Sequence, residues 1–117
     1  MPELKKYKMF IDGEWVDSES KKTFETLNPE NNEPWAVAPE ASAKDVDKAV
    51  KAAQKAFEGE WPKLLPRDRA KFLRAIADQL RKNAEMLGEI ETIDTGKLFR
   101  ETKQQAIYIA EYYDYYA

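Results

Sequence analysis

Neither cysteine nor histidine occurs among the 117 residues. The first absence removes disulfides, thiolate nucleophiles and every cysteine-ligated metal site. The second removes the commonest general base and the commonest transition-metal ligand, so chemistry carried by these residues alone must use carboxylates, hydroxyls or lysines. Glycine is scarce: Gly13, Gly59, Gly88 and Gly96 stand too far apart for the clustered fingerprint of a dinucleotide-binding turn. No apolar run is long enough to span a bilayer, and no apolar signal-peptide core follows the lysines of Met1 to Lys8. Cytoplasmic residence is therefore the expectation. An excess of one charge is also missing. The 19 basic and 22 acidic side chains leave a net charge of -3 spread along the chain, which offers no broad attraction for nucleic acid or anionic lipid. Neither nucleic acid nor membrane is expected as a partner.

What is present is the make-up of a soluble globular unit with a modest core, 43% hydrophobic and 35% charged. Lys8 to Ile11 and Glu14 to Val16 flank Asp12-Gly13, a pair suited to a type I′ turn, which predicts a β-hairpin. Thr23 to Leu27 predicts a third short strand, stopped by Asn28-Pro29. Asn31-Asn32 offers a left-handed turn position, and Pro34 to Pro39 reads as an extended, proline-bounded edge segment. At Ser42 the period changes. Ser42-Ala43-Lys44-Asp45 resembles a capping box, and Val46, Ala49, Val50, Ala53 and Phe57 share one face of a helix over about 43–58, with Gly59 as its C′ stop. Trp61-Pro62 and Pro66 punctuate a linker. From Arg67 a stripe of Ala70, Leu73, Ile76, Ala77 and Leu80 predicts a second helix. The stripe resumes as Met86, Leu87, Ile90 and Ile93 up to Gly96, and Asn83 and Gly88 leave open one bent helix or two. A last amphipathic helix runs from Phe99 to about Tyr116, with Ala106, Ile107, Ala110 and Tyr113 on one side. Five of the last ten residues are tyrosine, more aromatic surface than a chain of this size readily covers. Either other polypeptide packs there, or the rings fold back onto the first two helices as ordinary core.

Three local motifs bear on chemistry. Asp94-Thr95-Gly96 matches the triplet of aspartic proteases, but that triplet needs a loop between strands and a second copy, and here it ends a helical run. Gly96-Lys97 lacks the upstream glycine and the hydroxyl residue of a phosphate loop, since Glu91 and Leu98 occupy those places. Glu89 and Glu91 read as solvated helix surface.

Phe10-Ile11-Asp12-Gly13-Glu14-Trp15, Thr26-Leu27-Asn28-Pro29 and Asp45-Val46-Asp47-Lys48-Ala49-Val50 follow one another in a telling order. Ala53, Ala56-Phe57 with Trp61, Arg67-Asp68-Arg69, Glu91 to Lys97 and Tyr115-Tyr116-Ala117 continue it. From about residue 8 to the last, the chain resembles the N-terminal segment of the aldehyde dehydrogenase superfamily. It departs at Asn32, where members usually have glycine, and at Leu98, where proline is frequent after Gly-Lys. The first departure keeps a residue tolerant of left-handed backbone; the second leaves the start of the last helix less sharply fixed.

The resemblance implies an α/β fold, with residues 1–41 as strands and turns and 42–117 as three or four helices packed on a nucleotide-binding domain outside the segment. It implies NAD(P)-dependent oxidation of an aldehyde to a carboxylic acid by a cysteine nucleophile, a glutamate base and an oxyanion-stabilising asparagine, none of them in this sequence. Roughly three quarters of a full chain would be absent, and the segment alone would be scaffold without catalysis. It also implies NAD or NADP as cofactor, the remainder of the enzyme chain as partner, and a homodimer or homotetramer. Two local roles carry over. A structural Na⁺ or K⁺ would be held by the backbone carbonyls of Thr26 and Leu27 and by Asp94, hard oxygen ligands suited to such an ion; the competing reading is that Asp94 binds backbone amides at a turn. Tyr108 and Tyr112 would line the wall of the substrate tunnel, against core packing as the competing role. The alternative to the whole reading is a free-standing helical interaction module, which requires a stable, cooperatively melting fold without a partner.

Overall fold

A computed structural model describes residues 4–117. Residues 1–3, included in the expected strand-and-turn region, lie outside the described residues. Five strands come first, β1 Lys5–Lys6, β2 Met9–Ile11, β3 Glu14–Val16, β4 Thr23–Asn28 and β5 Glu33–Pro39. Four helices follow, α1 Ala43–Glu58, α2 Pro66–Lys82, α3 Ala84–Thr95 and α4 Phe99–Tyr116, with a single 3-10 turn at Trp61–Lys63 between α1 and α2. The chain divides into two compact units. One takes in the described residues up to Leu27 together with Asn32–Lys63, and the other Asn28–Asn31 together with Leu64–Ala117.

In the first unit β2 and β3 pair antiparallel, Phe10 opposite Trp15, as the Asp12-Gly13 turn requires. Both turn residues have positive φ, 51° and 84°, the backbone of a type I′ turn. The second sheet has the order β1-β5-β4, with β1 parallel to β5 and Lys5 in register with Ala36. β5 is therefore the central strand, and its reading as an edge segment is corrected. Its prolines explain the misreading: Pro34 and Pro39 lie at its two ends, where a missing N–H costs the ladder little, while Trp35 and Ala36 between them turn inward. The partner β1 escapes notice because two exposed lysines carry no periodicity and pair through backbone alone.

Helix α1 starts where the capping box places it. Asp45 N–H donates to Ser42 Oγ at 3.3 Å, and Ser42 N–H donates to the Asp45 carboxylate at 2.8 Å. Gly59 ends the helix without a left-handed turn, at φ -87°, and its N–H reaches the Ala56 carbonyl. The face of Val46, Val50 and Phe57 is exposed within the described residues, Phe57 by 71%.

In the second unit the run from Pro66 to Thr95 is two helices, broken at Asn83, whose φ of -107° and ψ of 12° leave the helical region. Gly96 caps α3 at φ 74°, returning its N–H to the Thr92 carbonyl. The α3–α4 contact is built from small residues. A Cβ on Gly88 would lie 2.8 Å from the Cα and N of Lys103, so the two backbones touch. Buried Thr102 seals that contact: its hydroxyl lies 2.9 Å from the Gly88 carbonyl and 2.9 Å from Thr92 Oγ1. Among the described residues every buried apolar side chain is an alanine: Ala36, Ala70, Ala77, Ala84, Ala106 and Ala110.

Candidate functional site

Helix α4 buries Thr102, Ala106 and Ala110, spaced by four, against its neighbours in the second unit. That register turns Tyr108, Tyr112, Tyr115 and Tyr116 to another side, where with Glu111 they line a groove of about 280 Å³. Tyr108 and Tyr112 stand edge to face, ring centres 5.1 Å apart at 82°, and the Tyr112 hydroxyl donates to that of Tyr108 at 3.2 Å. Tyr115 and Tyr116 form a second perpendicular pair, 5.1 Å apart at 89°. The hydrogen bond to Tyr108 raises the Tyr112 phenol above its ordinary range, with the neighbouring Tyr116 and Glu111 acting in the same sense. The two tyrosines expected in a tunnel wall thus share one groove. Glu111, Tyr115 and Tyr116 join them, and the sequence signal for all three was their spacing of three, seven and eight from Tyr108. The helix is held on α2 by a hydrogen-bonded ion pair of Arg81 with Asp114, the first cause of a raised Arg81 pKa, and by Arg74, which donates to the Ala117 carbonyl at 3.1 Å.

The residues expected to hold a monovalent cation fall on different elements. Thr26 and Leu27 lie in β4 of the first unit, Thr26 half-buried, and Asp94 is exposed in the last turn of α3 in the second. Within the second unit, Asn28, Pro29 and Glu30 meet Thr92, Thr95, Gly96 and Lys97 across a cleft of about 600 Å³. Asn28 Oδ1 accepts from Glu30 N–H at 2.9 Å, an Asx turn that places Pro29 against Gly96, whose added Cβ would lie 3.1 Å from the proline ring. Lys97 is committed to Glu91 at 2.6 Å. The helical Asp94-Thr95 and the left-handed cap at Gly96 rule out a protease loop there.

A polar cluster of which the sequence announced only the Ser42-Asp45 capping box sits at the start of α1, where Ser18 and Glu19 join it. Buried Asp45 accepts from Ser42 N–H and from the Ser42 hydroxyl at 2.7 Å, with Glu19 N–H at 3.2 Å and Ser18 Oγ at 3.1 Å. Ser18 Oγ lies 2.6 Å from the Glu40 carbonyl as well, so its single proton is divided between the two acceptors. These donors, the Ser42 N–H foremost, hold Asp45 at about 2, below its ordinary 3.8. Lys44 and Lys48 flank it and lower the neighbouring Glu19. Every donor is satisfied inside the cluster, which makes it a fastening of helix to loop.

A nicotinamide dinucleotide does not fit the donor set of this segment. Its glycines serve the hairpin turn, two helix ends and the α3–α4 contact, and none forms part of a phosphate cradle.

A sequence profile of the aldehyde dehydrogenase family matches residues 15–117. Among characterised relatives, the (Z)-2-((N-methylformamido)methylene)-5-hydroxybutyrolactone dehydrogenase of Acinetobacter baylyi is 41% identical over 97% of this chain and 23% of its own length. Among solved structures, an NAD-dependent aldehyde dehydrogenase from Sinorhizobium meliloti superposes with a TM-score of 0.92 at 34% identity, covering 97% of this chain and 23% of that one. Betaine aldehyde dehydrogenase from Staphylococcus aureus, in complex with NAD⁺, gives 0.89 at 38%, covering 92% and 22%. The chain thus spans less than a quarter of the length of these relatives. From the Asp12-Gly13 hairpin to the tyrosines of α4, it belongs to the aldehyde dehydrogenase family.

Proposed function

We propose that this chain is the N-terminal scaffold of an NAD(P)-dependent aldehyde dehydrogenase that oxidises an aldehyde to a carboxylic acid in the cytoplasm, working as a homodimer or homotetramer. The observation that carries it is the family match over nearly the whole chain, joined to a core made of alanines beneath large exposed apolar side chains. A segment with Trp15, Phe57, Tyr115 and Tyr116 facing outward is shaped to lie against further polypeptide. NAD is the cofactor of the two solved relatives, and NADP is the alternative within the same chemistry. The nicotinamide supplies the oxidant when bound to the rest of the enzyme. The residues here position helices, and Tyr108 and Tyr112 border the path of the aldehyde. The role of Thr26, Leu27 and Asp94 as ligands of Na⁺ or K⁺ belongs to the same proposal and is supported by the family resemblance alone.

The test is aldehyde-dependent formation of NADH or NADPH. The complete polypeptide is expected to show it and the 117-residue segment to show none. Turnover by the segment alone would place the catalytic residues here, contrary to the proposal. The interaction-module reading gains no support from the family match.

A further inference from the structure

We propose that a lysine-lined pocket of the first unit binds a phosphate ester with a small apolar body. Although the whole chain carries a net charge of -3, positive charge goes uncompensated at one place. Most lysines among the described residues lie within ion-pair distance of a carboxylate. Lys6, Lys21 and Lys22 do not, and all three line one pocket of about 360 Å³. Lys5, next in sequence, has the Tyr7 ring as its partner, with Nζ 5.0 Å from the ring centre. The single carboxylate of the lining, Asp17, lies 3.8 Å from Lys8, which does not line the pocket. An excess of positive charge remains. Backbone geometry points the same way. Asp12, Lys21 and Asn32 are the described non-glycine residues with positive φ. Aspartate and asparagine tolerate that region through local hydrogen bonds, whereas lysine has no such compensation. Lys21, at φ 56°, thus sets a cation at the pocket where asparagine would be less strained.

Tyr7, Val37 and Pro39 supply apolar surface beside the ammonium groups. Trp35 packs edge-on against Tyr7, ring centres 6.1 Å apart, and the Tyr7 hydroxyl is buried without a hydrogen-bond partner, so the ring is what a ligand meets. Ser18 Oγ is taken by the Glu40 carbonyl and Asp45, which leaves Thr23 as the hydroxyl donor. An all-lysine set suits a tetrahedral dianion better than a planar carboxylate, which arginine would grip bidentately. The volume, at the small end of ligand cavities, admits that anion together with a compact apolar body. None of the large exposed apolar side chains lines the pocket, and an apolar face laid over its exposed lysines would strip their hydration. The pocket is thus distinct from the apolar faces assigned to further polypeptide.

The test uses the complete polypeptide saturated with NAD⁺, so that its coenzyme site is filled, and follows the acetylation of each lysine by mass spectrometry. Phenyl phosphate is the probe, with inorganic phosphate and phenol as its two halves. Phenyl phosphate is expected to slow the acetylation of Lys6, Lys21 and Lys22 severalfold and to spare Lys82, which also lacks an ion pair but ends α2. Inorganic phosphate should need a concentration about tenfold higher, and phenol should protect nothing. Lys21→Asn should raise by about tenfold the phenyl phosphate needed to protect Lys22, while its relaxed backbone raises the melting temperature. Equal slowing of Lys82 would show an adventitious ion only and overturn the proposal. Unchanged rates at the three lysines, lysines already unreactive without phosphate, or undiminished protection in Lys21→Asn would overturn it as well. Protection by inorganic phosphate equal to that by the ester would overturn the assignment of an ester. No turnover is measured, so the proposed oxidation of aldehydes stands or falls separately.

Discussion

At Gly88 the absent side chain decides how closely two helices approach. Alanine inside a helix is ordinarily better than glycine by about 0.5–1 kcal/mol, yet here the new Cβ would meet the Lys103 backbone at 2.8 Å. Overpacking wins, because the opposing atoms are main chain and cannot swing aside. Gly88→Ala should therefore destabilise the complete protein by about 1–3 kcal/mol, read as a lower urea midpoint at unchanged slope. Asp45 makes a second prediction through protons. Its carboxyl sits at about 2 when folded against an ordinary 3.8. The stability it contributes is thus full above the ordinary value and is lost as the pH falls through the folded one. Asp45→Asn should lower the melting temperature at neutral pH. Between pH 3.8 and about 2 it should also show a shallower fall than the parent. A parallel fall in both proteins would contradict the assignment. Asn32 needs no rescue: at φ 57° it occupies a left-handed position, and asparagine tolerates it.

Elements were legible wherever one local rule dominated. Asp12-Gly13 announced its hairpin, Ser42 and Asp45 announced the start of α1, and Gly96 announced the end of α3, because each residue type is chosen by the backbone it occupies. Strand order was not legible. Nothing in Pro34 to Pro39 says that Lys5–Lys6 will pair beside it, since sheet partners are set by backbone bonds between distant residues. The α3–α4 seam was missed for a related reason. The periodic residues of α3 are Met86, Leu87, Ile90 and Ile93, while contact is made through Gly88, Thr92 and Thr102, small residues that hydrophobicity patterns underweight. The tyrosine groove was half legible: Tyr108 and Tyr112 came from the family resemblance, and Glu111, Tyr115 and Tyr116 came only with the helix register. The small-residue face of α4 carries its own prediction. Ala110 is fully buried, so Ala110→Leu should cost about 1–3 kcal/mol by forcing α4 off its neighbours. The check is a fall in melting temperature of the complete protein, with no matching fall for leucine at exposed Glu111.

Over the described residues the large apolar side chains lie mostly outside and the small ones inside. Alanines fill the described core, while Tyr115 is 81% exposed, Tyr116 75% and Trp15 67%. A soluble protein that displayed this much aromatic surface to water would bind apolar probes and associate with itself. Full burial of a single large apolar side chain is worth about 1.5–3 kcal/mol, so on the proposed reading further polypeptide covering many of them would add stability that the alanine core alone does not supply. The measurement that tests this most directly is the fluorescence of anilinonaphthalene sulfonate with the 117-residue segment and with the complete polypeptide, alongside their thermal melts. Strong dye binding and a broad, weakly cooperative melt for the segment, both abolished in the complete polypeptide, are predicted. A segment that stays monodisperse, ignores the dye and melts in one sharp transition would show that its faces need no cover, and would contradict the account.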